Sequence, residues 1–112
     1  MLNQVVLVGR LTSNVEVKEL ESGKKVANIT VAVPRSFKNE NGEYETDFIQ
    51  CRVWDAIATN TAEYCKKGDI VGVKGRLQSV VEENVLGEKT YKTEVMTEKL
   101  TFLSSKKESE EE

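Results

Sequence analysis

The sequence predicts an all-β fold with one helix: a five-stranded Greek-key barrel of the OB type with extended hairpin loops. Three observations carry that expectation. The chain of 112 residues is rich in strand formers, with 15 Val and 9 Thr against a single Pro. Only one segment, after Trp54, changes from a two-residue to a helical period. That segment falls after three long strands and before two more, where an OB barrel carries its helix. An SH3-like barrel would not predict the helix, and a ferredoxin-like fold would need a second one.

Asn3 to Leu11 forms the first strand, and Val5-Val6-Leu7-Val8 is apolar on both faces. Such a run fits burial on both sides, in a closed barrel or at an interface. Val15 to Leu20 alternates Val15 and Val17 with Glu16 and Lys18, which fits a half-exposed strand. Glu21-Ser22-Gly23-Lys24 reads as a turn. Val26 to Arg35 places Ala27, Ile29, Val31 and Val33 on one face and Asn28, Thr30 and Ala32 on the other, with Pro34 at the strand's end. Phe37 to Tyr44 reads as a polar loop centred on Asn41-Gly42, a strong turn pair. Glu45 to Trp54 is the next strand.

Asp55 is suited to cap a helix from Ala56 to about Lys67, with Ile57, Thr61, Tyr64 and Cys65 on its buried stripe. Lys66 and Lys67 would face the negative end of the helix dipole, with Gly68 just beyond. Asp69 to Val85 returns to strand, and Gly72 and Gly75 allow the bends a small barrel needs. After a turn at Asn84 to Glu88, Lys89 to Leu103 is the last strand. The domain therefore spans 1–103, and 104–112 is expected to be a short disordered acidic tail.

The formal charge is −3, from 16 Lys+Arg and 19 Asp+Glu. Removing Lys106 to Glu112, with two Lys and four Glu, leaves 14 against 15, so the body is nearly neutral. Any anionic partner must then be recognised by where the cations lie. The chain lacks an apolar run long enough for a transmembrane helix, and its start lacks the pattern of a secretory signal, so a cytoplasmic location and no membrane partner are expected. Cys51 and Cys65 fit buried, reduced thiols. The chain has no His, no carboxylate pair spaced for acid–base work and no Gly-rich phosphate cradle. Neither an enzyme nor a metal or other cofactor is expected.

The most informative segment is Phe48-Ile49-Gln50-Cys51-Arg52-Val53-Trp54. Alternation gives Ile49, Cys51 and Val53 one face, fit for a core. Phe48, Gln50, Arg52 and Trp54 share the other. Flat rings beside a guanidinium are what a single-stranded nucleic acid needs, since bases stack on rings and phosphates pair with cations. Arg35-Ser36-Phe37-Lys38 opens the long loop with the same mix, and Lys74 and Arg76 share a strand face farther on.

The motifs, taken in order, resemble the bacterial and phage single-stranded DNA-binding protein family. The likeness runs through Asn3–Leu11, Val26–Ala32, Thr46-Asp47-Phe48, Arg52-Val53-Trp54, Ala62–Asp69, Val73–Leu77 and Tyr91–Val95, covering about residues 2–103. The resemblance implies an OB fold that binds single-stranded DNA with little sequence preference in replication, recombination and repair, as a homotetramer. The family's stacking aromatics match Phe37, Phe48 and Trp54. Arg10, Arg35, Lys38, Arg52, Lys74 and Arg76 are the expected phosphate contacts. An OB module for RNA or for protein assembly is the alternative. The chain departs from the family at Val15, where Pro is usual, and at Ile49, where His is common. It also departs over Gln78 to Glu82, which lacks a further aromatic. Family members dock repair and replication proteins through an acidic tip with apolar end residues; Lys106 to Glu112 is acidic without them, so such docking is not expected.

Overall fold

In the computed structural model, which describes residues 1–105, the barrel is closed by five strands. The elements are β1 (Val5–Leu11), β2 (Lys18–Glu19), β3 (Lys25–Lys38), β4 (Tyr44–Trp54), α1 (Asp55–Tyr64), β5 (Ile70–Glu83) and β6 (Lys89–Ser104). Hydrogen-bonded neighbours run β1-β5-β6-β4-β3, and β3 returns to β1, so the ring has no free edge; β2 adds to β3 outside it. All pairings are antiparallel except β4 with β6.

Closure depends on the end of β1. This strand pairs with β5 from Val5 to Arg10 and also with β3 through Arg10 and Leu11. Gly9 sits where the backbone turns from one partner toward the other, and a Cβ there would drive into the carbonyl oxygen of Ala32. The core is filled from every side of the ring: Leu11 from β1, Ala27, Ile29 and Val31 from β3, Cys51 and Val53 from β4, Val71 and Val73 from β5, and Val95 from β6. Ala58 and Cys65 close it beneath the helix. Each large apolar side chain buried this fully contributes about 1.5–3 kcal/mol relative to exposure.

Several local expectations change. The expected strand from Val15 to Leu20 reduces to Lys18 and Glu19, while Val15 and Val17 still pack against the core. The expected loop from Phe37 to Tyr44 holds at Asn39 to Glu43, while Phe37, Lys38 and Tyr44 are strand, because β3 and β4 continue past the barrel as a two-stranded ribbon. The Asn39 side-chain oxygen accepts from the N–H groups of Asn41 and Glu43 and holds that turn. The β5–β6 ribbon turns in the same way, with Asn84 accepting from Leu86 and Glu88.

The helix is shorter than its pattern. Asp55 is its first residue, in the left-handed region at φ 47°, and its carboxylate accepts from the Lys25 N–H at 3.0 Å rather than capping the helix. Tyr64 ends the helix and is 69% exposed, not part of the core; of the expected stripe Thr61 and Cys65 are buried and Ile57 packs on the core, and Ala58 is buried with them. Lys66 and Lys67 lie beyond the last turn. There the chain reverses at Gly68, φ 92°, and the Asp69 carboxylate accepts from the Lys66 N–H. The last strand reaches Ser104, which pairs with Ile70. The rest of the expected tail, from Lys106 on, lies outside the described residues.

Candidate nucleic-acid interface

The face of β4 that carries Phe48, Gln50, Arg52 and Trp54 points out of the barrel. Its alternation is enforced from the other side, where Cys51 and Val53 are fully buried and Ile49 packs on the core. Directly paired residues share a face, so the strand register shows what surrounds these four side chains. One row runs Asn28, Arg52, Met96, Arg76 across β3, β4, β6 and β5. A second runs Arg10, Ala32, Phe48 across β1, β3 and β4. Trp54 pairs with Val26. The result is one continuous outer surface over most of the ring, with β4 along its middle.

Phe48 is 66% exposed, and its partner on β3 is the small Ala32. Beside it a shallow pocket is lined by Phe48, Gln50, Lys92 and Thr93. Trp54 is half-buried at the start of α1, and its indole N–H is buried with no acceptor. Phe37 is exposed on the β3–β4 ribbon. Next to it Lys38 lies 5.7 Å from the centroid of the Tyr44 ring, a cation–π contact at the ribbon's tip.

The expected cations divide into two kinds. Arg10, Lys38, Lys74 and Arg76 make no ion pair among the described residues; Arg10 donates only to the carbonyl of Gly68, at 2.9 Å. Arg35 and Arg52 are already engaged. Arg35 reaches Glu45 at 2.6 Å and Asp47 at 2.9 Å. Hydrogen bonding to Arg35 holds the Asp47 carboxyl below its usual range, and the same bond, with the two negative charges, raises the guanidinium further. Asp47 pairs with Val33, so strand alternation puts this cluster on the ribbon face opposite Phe48. Arg52 Nε lies 3.2 Å from Asn28 Oδ1 and 3.2 Å from Glu94 Oε2. Glu94 itself is only 6% exposed.

The nine expected residues are therefore not one cluster. Phe48, Arg52, Trp54, Arg10 and Arg76 share the barrel's outer surface. Lys38, paired with Tyr44, extends it along the ribbon, and the adjacent Phe37 falls on the ribbon's other face. Lys74 stands two residues from Arg76 but pairs with Val6 and Lys99, in the sector beside the apolar outer face of β1. The nine expected residues do not include Lys92, Glu94 and Met96. All three have the parity of an outward face on β6, alternating with the buried Val95 and Thr97, but their adjacency to β4 arises from a parallel pairing that no local pattern announces.

The model of the single-strand binding protein family matches residues 2–103. Single-stranded DNA-binding protein B of Bacillus subtilis is 47% identical over 106 residues, covering 95% of this chain and 94% of that protein. A single-stranded DNA-binding protein of Halalkalibacterium halodurans is 50% identical over 103 residues, and one of Lactiplantibacillus plantarum is 46% identical over 110. The matched region spans 61% and 55% of those two longer relatives.

Proposed function

The chain belongs to the single-strand binding protein family, and on that footing we propose that it binds and protects single-stranded DNA, largely without regard to sequence, in replication, recombination and repair. The observation that carries this reading is the outer face of β4, where Phe48 and Trp54 flank Gln50 and Arg52 on a strand whose opposite face is core. Rings stack on any base, so such a face is tolerant of sequence. Phe37, Phe48 and Trp54 are the stacking residues. Arg10, Lys38, Lys74 and Arg76 bring uncompensated charge to the phosphates, whereas Arg35 and Arg52 come with carboxylate partners. The activity is binding alone, with no catalysed step, and its setting is the cytoplasm. No helix of the described residues is long and apolar enough to cross a membrane.

We further propose a homotetramer. Support comes from the outer face of β1, where Val6 and Val8 are exposed beside Leu103, an apolar surface that a soluble monomer rarely presents.

The test is competition for a labelled oligo-dT. Unlabelled oligo-dT should displace it, and duplex DNA of the same length should not. Equal competition by duplex would remove the single-strand reading. A clear preference for oligo-U would favour an RNA module, since RNA is distinguished through its 2′-OH.

A further inference from the structure

Arg52 stands at the centre of the proposed site, yet its charge is already answered there. Its side chain is 25% exposed and is held between two neighbouring strands: Nε donates to Asn28 of β3, and the guanidinium lies against Glu94 of β6, at 3.2 Å from one carboxylate oxygen and 3.5 Å from the other. Glu94 is almost fully buried, so water does little to screen it from Arg52. No other cation among the described residues pairs with Glu94. Arg76, in the same row one strand beyond Met96, has no such partner.

We propose that Glu94 is a positioning residue that holds Arg52 on the sheet and cancels its charge, so that Arg52 contacts the bases of a bound strand and neutralises no phosphate. The inference rests on the single-strand reading above. The bonds to Asn28 and Glu94 leave Nη1 and part of Nη2 free to donate to a base edge, and the guanidinium plane can stack, as arginine does with bases. The pair thus offers a fixed and nearly neutral contact between the Phe48 and Trp54 rings, while the phosphates follow Arg10 and Arg76 at the margins.

Salt dependence separates the two roles, because its slope counts the phosphates neutralised, at about 0.7 per phosphate on a single strand. The experiment measures oligo-dT affinity against salt for wild type, Arg76→Gln, Glu94→Gln and the double variant Arg52→Gln/Glu94→Gln. The double variant removes a neutral pair and leaves no unpaired buried charge. It should bind more weakly at every salt concentration with the wild-type slope, whereas Arg76→Gln should flatten the slope by about 0.7. Glu94→Gln alone, which frees the Arg52 charge, should steepen it by a similar amount. A double variant whose slope flattens as much as that of Arg76→Gln would overturn the proposal. If the double variant does not fold, Glu94→Gln decides alone: an unchanged or flatter slope overturns the proposal. Failure of the wild-type protein to bind oligo-dT at all would instead strike the single-strand reading, and this inference with it.

Discussion

Replacing Phe48 with Ala separates what the site does from what holds the fold. Phe48 is 66% exposed, so only about a third of its surface is withdrawn from water. Complete burial of such a side chain is worth about 1.5–3 kcal/mol, so the loss of stability on truncation should be roughly 0.5–1 kcal/mol. Its loss to binding is of another order. One base stacked on an aromatic contributes about 1–3 kcal/mol, and at about 1.4 kcal/mol per tenfold this is a fall in affinity of roughly 5- to 150-fold. The same strand supplies a control. Val53 is fully buried, and Val53→Ala should lower stability by at least about 1 kcal/mol with little effect on affinity while the protein is folded. Trp54 lies between these cases, half-buried against the start of the helix, so Trp54→Ala should lower both. The assay is oligo-dT titration at fixed salt, paired with thermal melts of each variant. Phe48→Tyr should restore most of the affinity, because the ring is kept. A folded Phe48→Ala protein that binds within twofold of wild type would refute stacking at this position.

Other consequences follow from the barrel and its surface. Gly9→Ala forces a methyl group onto the Ala32 backbone, which cannot turn aside, so a loss of about 1–3 kcal/mol and a Tm lower by several degrees are expected; an unchanged Tm would show that β1 closes the ring less tightly than described. Burial, assisted by the charge of Glu94, pushes the Cys51 thiol up to about 11 from an ordinary value of 9.0. Between those values the unfolded chain releases a proton that the folded one keeps, so the stability present below pH 9 declines as pH rises toward 11. In urea melts at pH 8 and pH 10 the wild type should lose about 1 kcal/mol more than Cys51→Ala, and equal losses would contradict the burial of this thiol. Val8→Glu, on the outer face of β1, should convert the proposed tetramer to smaller species in sedimentation experiments without unfolding the barrel; a wild type that sediments as a monomer at micromolar concentration would end the tetramer proposal.

The barrel was legible because its signals are local. Alternation in Val26–Arg35 and Glu45–Trp54 identified the core faces, and the single change of period placed the helix. The helical stripe fails at Tyr64, the exposed last residue of the helix, whereas Thr61 and Cys65 are buried as the stripe expects, Cys65 from extended backbone just past the helix end. The turn at Asn39 to Glu43 could be read from Asn41-Gly42, but β3 runs past its expected end at Arg35 to Lys38, where the residues have no core to bury and are held by pairing across the ribbon rather than by hydrophobic alternation. Of the site, the β4 face could be read directly. The grouping of cations could not, since Arg35 finds Glu45 and Asp47 across the hairpin and Arg52 finds Glu94 through a parallel pairing 42 residues away in sequence.

The most direct test of the central claim uses the one tryptophan of the chain, Trp54, which lies in the proposed site. Titration with oligo-dT, followed by its fluorescence at low and high salt, should give strong quenching that saturates and weakens as salt rises. An unchanged signal, together with no shift of the oligonucleotide in a mobility assay, would contradict the account of this face as a binding site for single-stranded DNA.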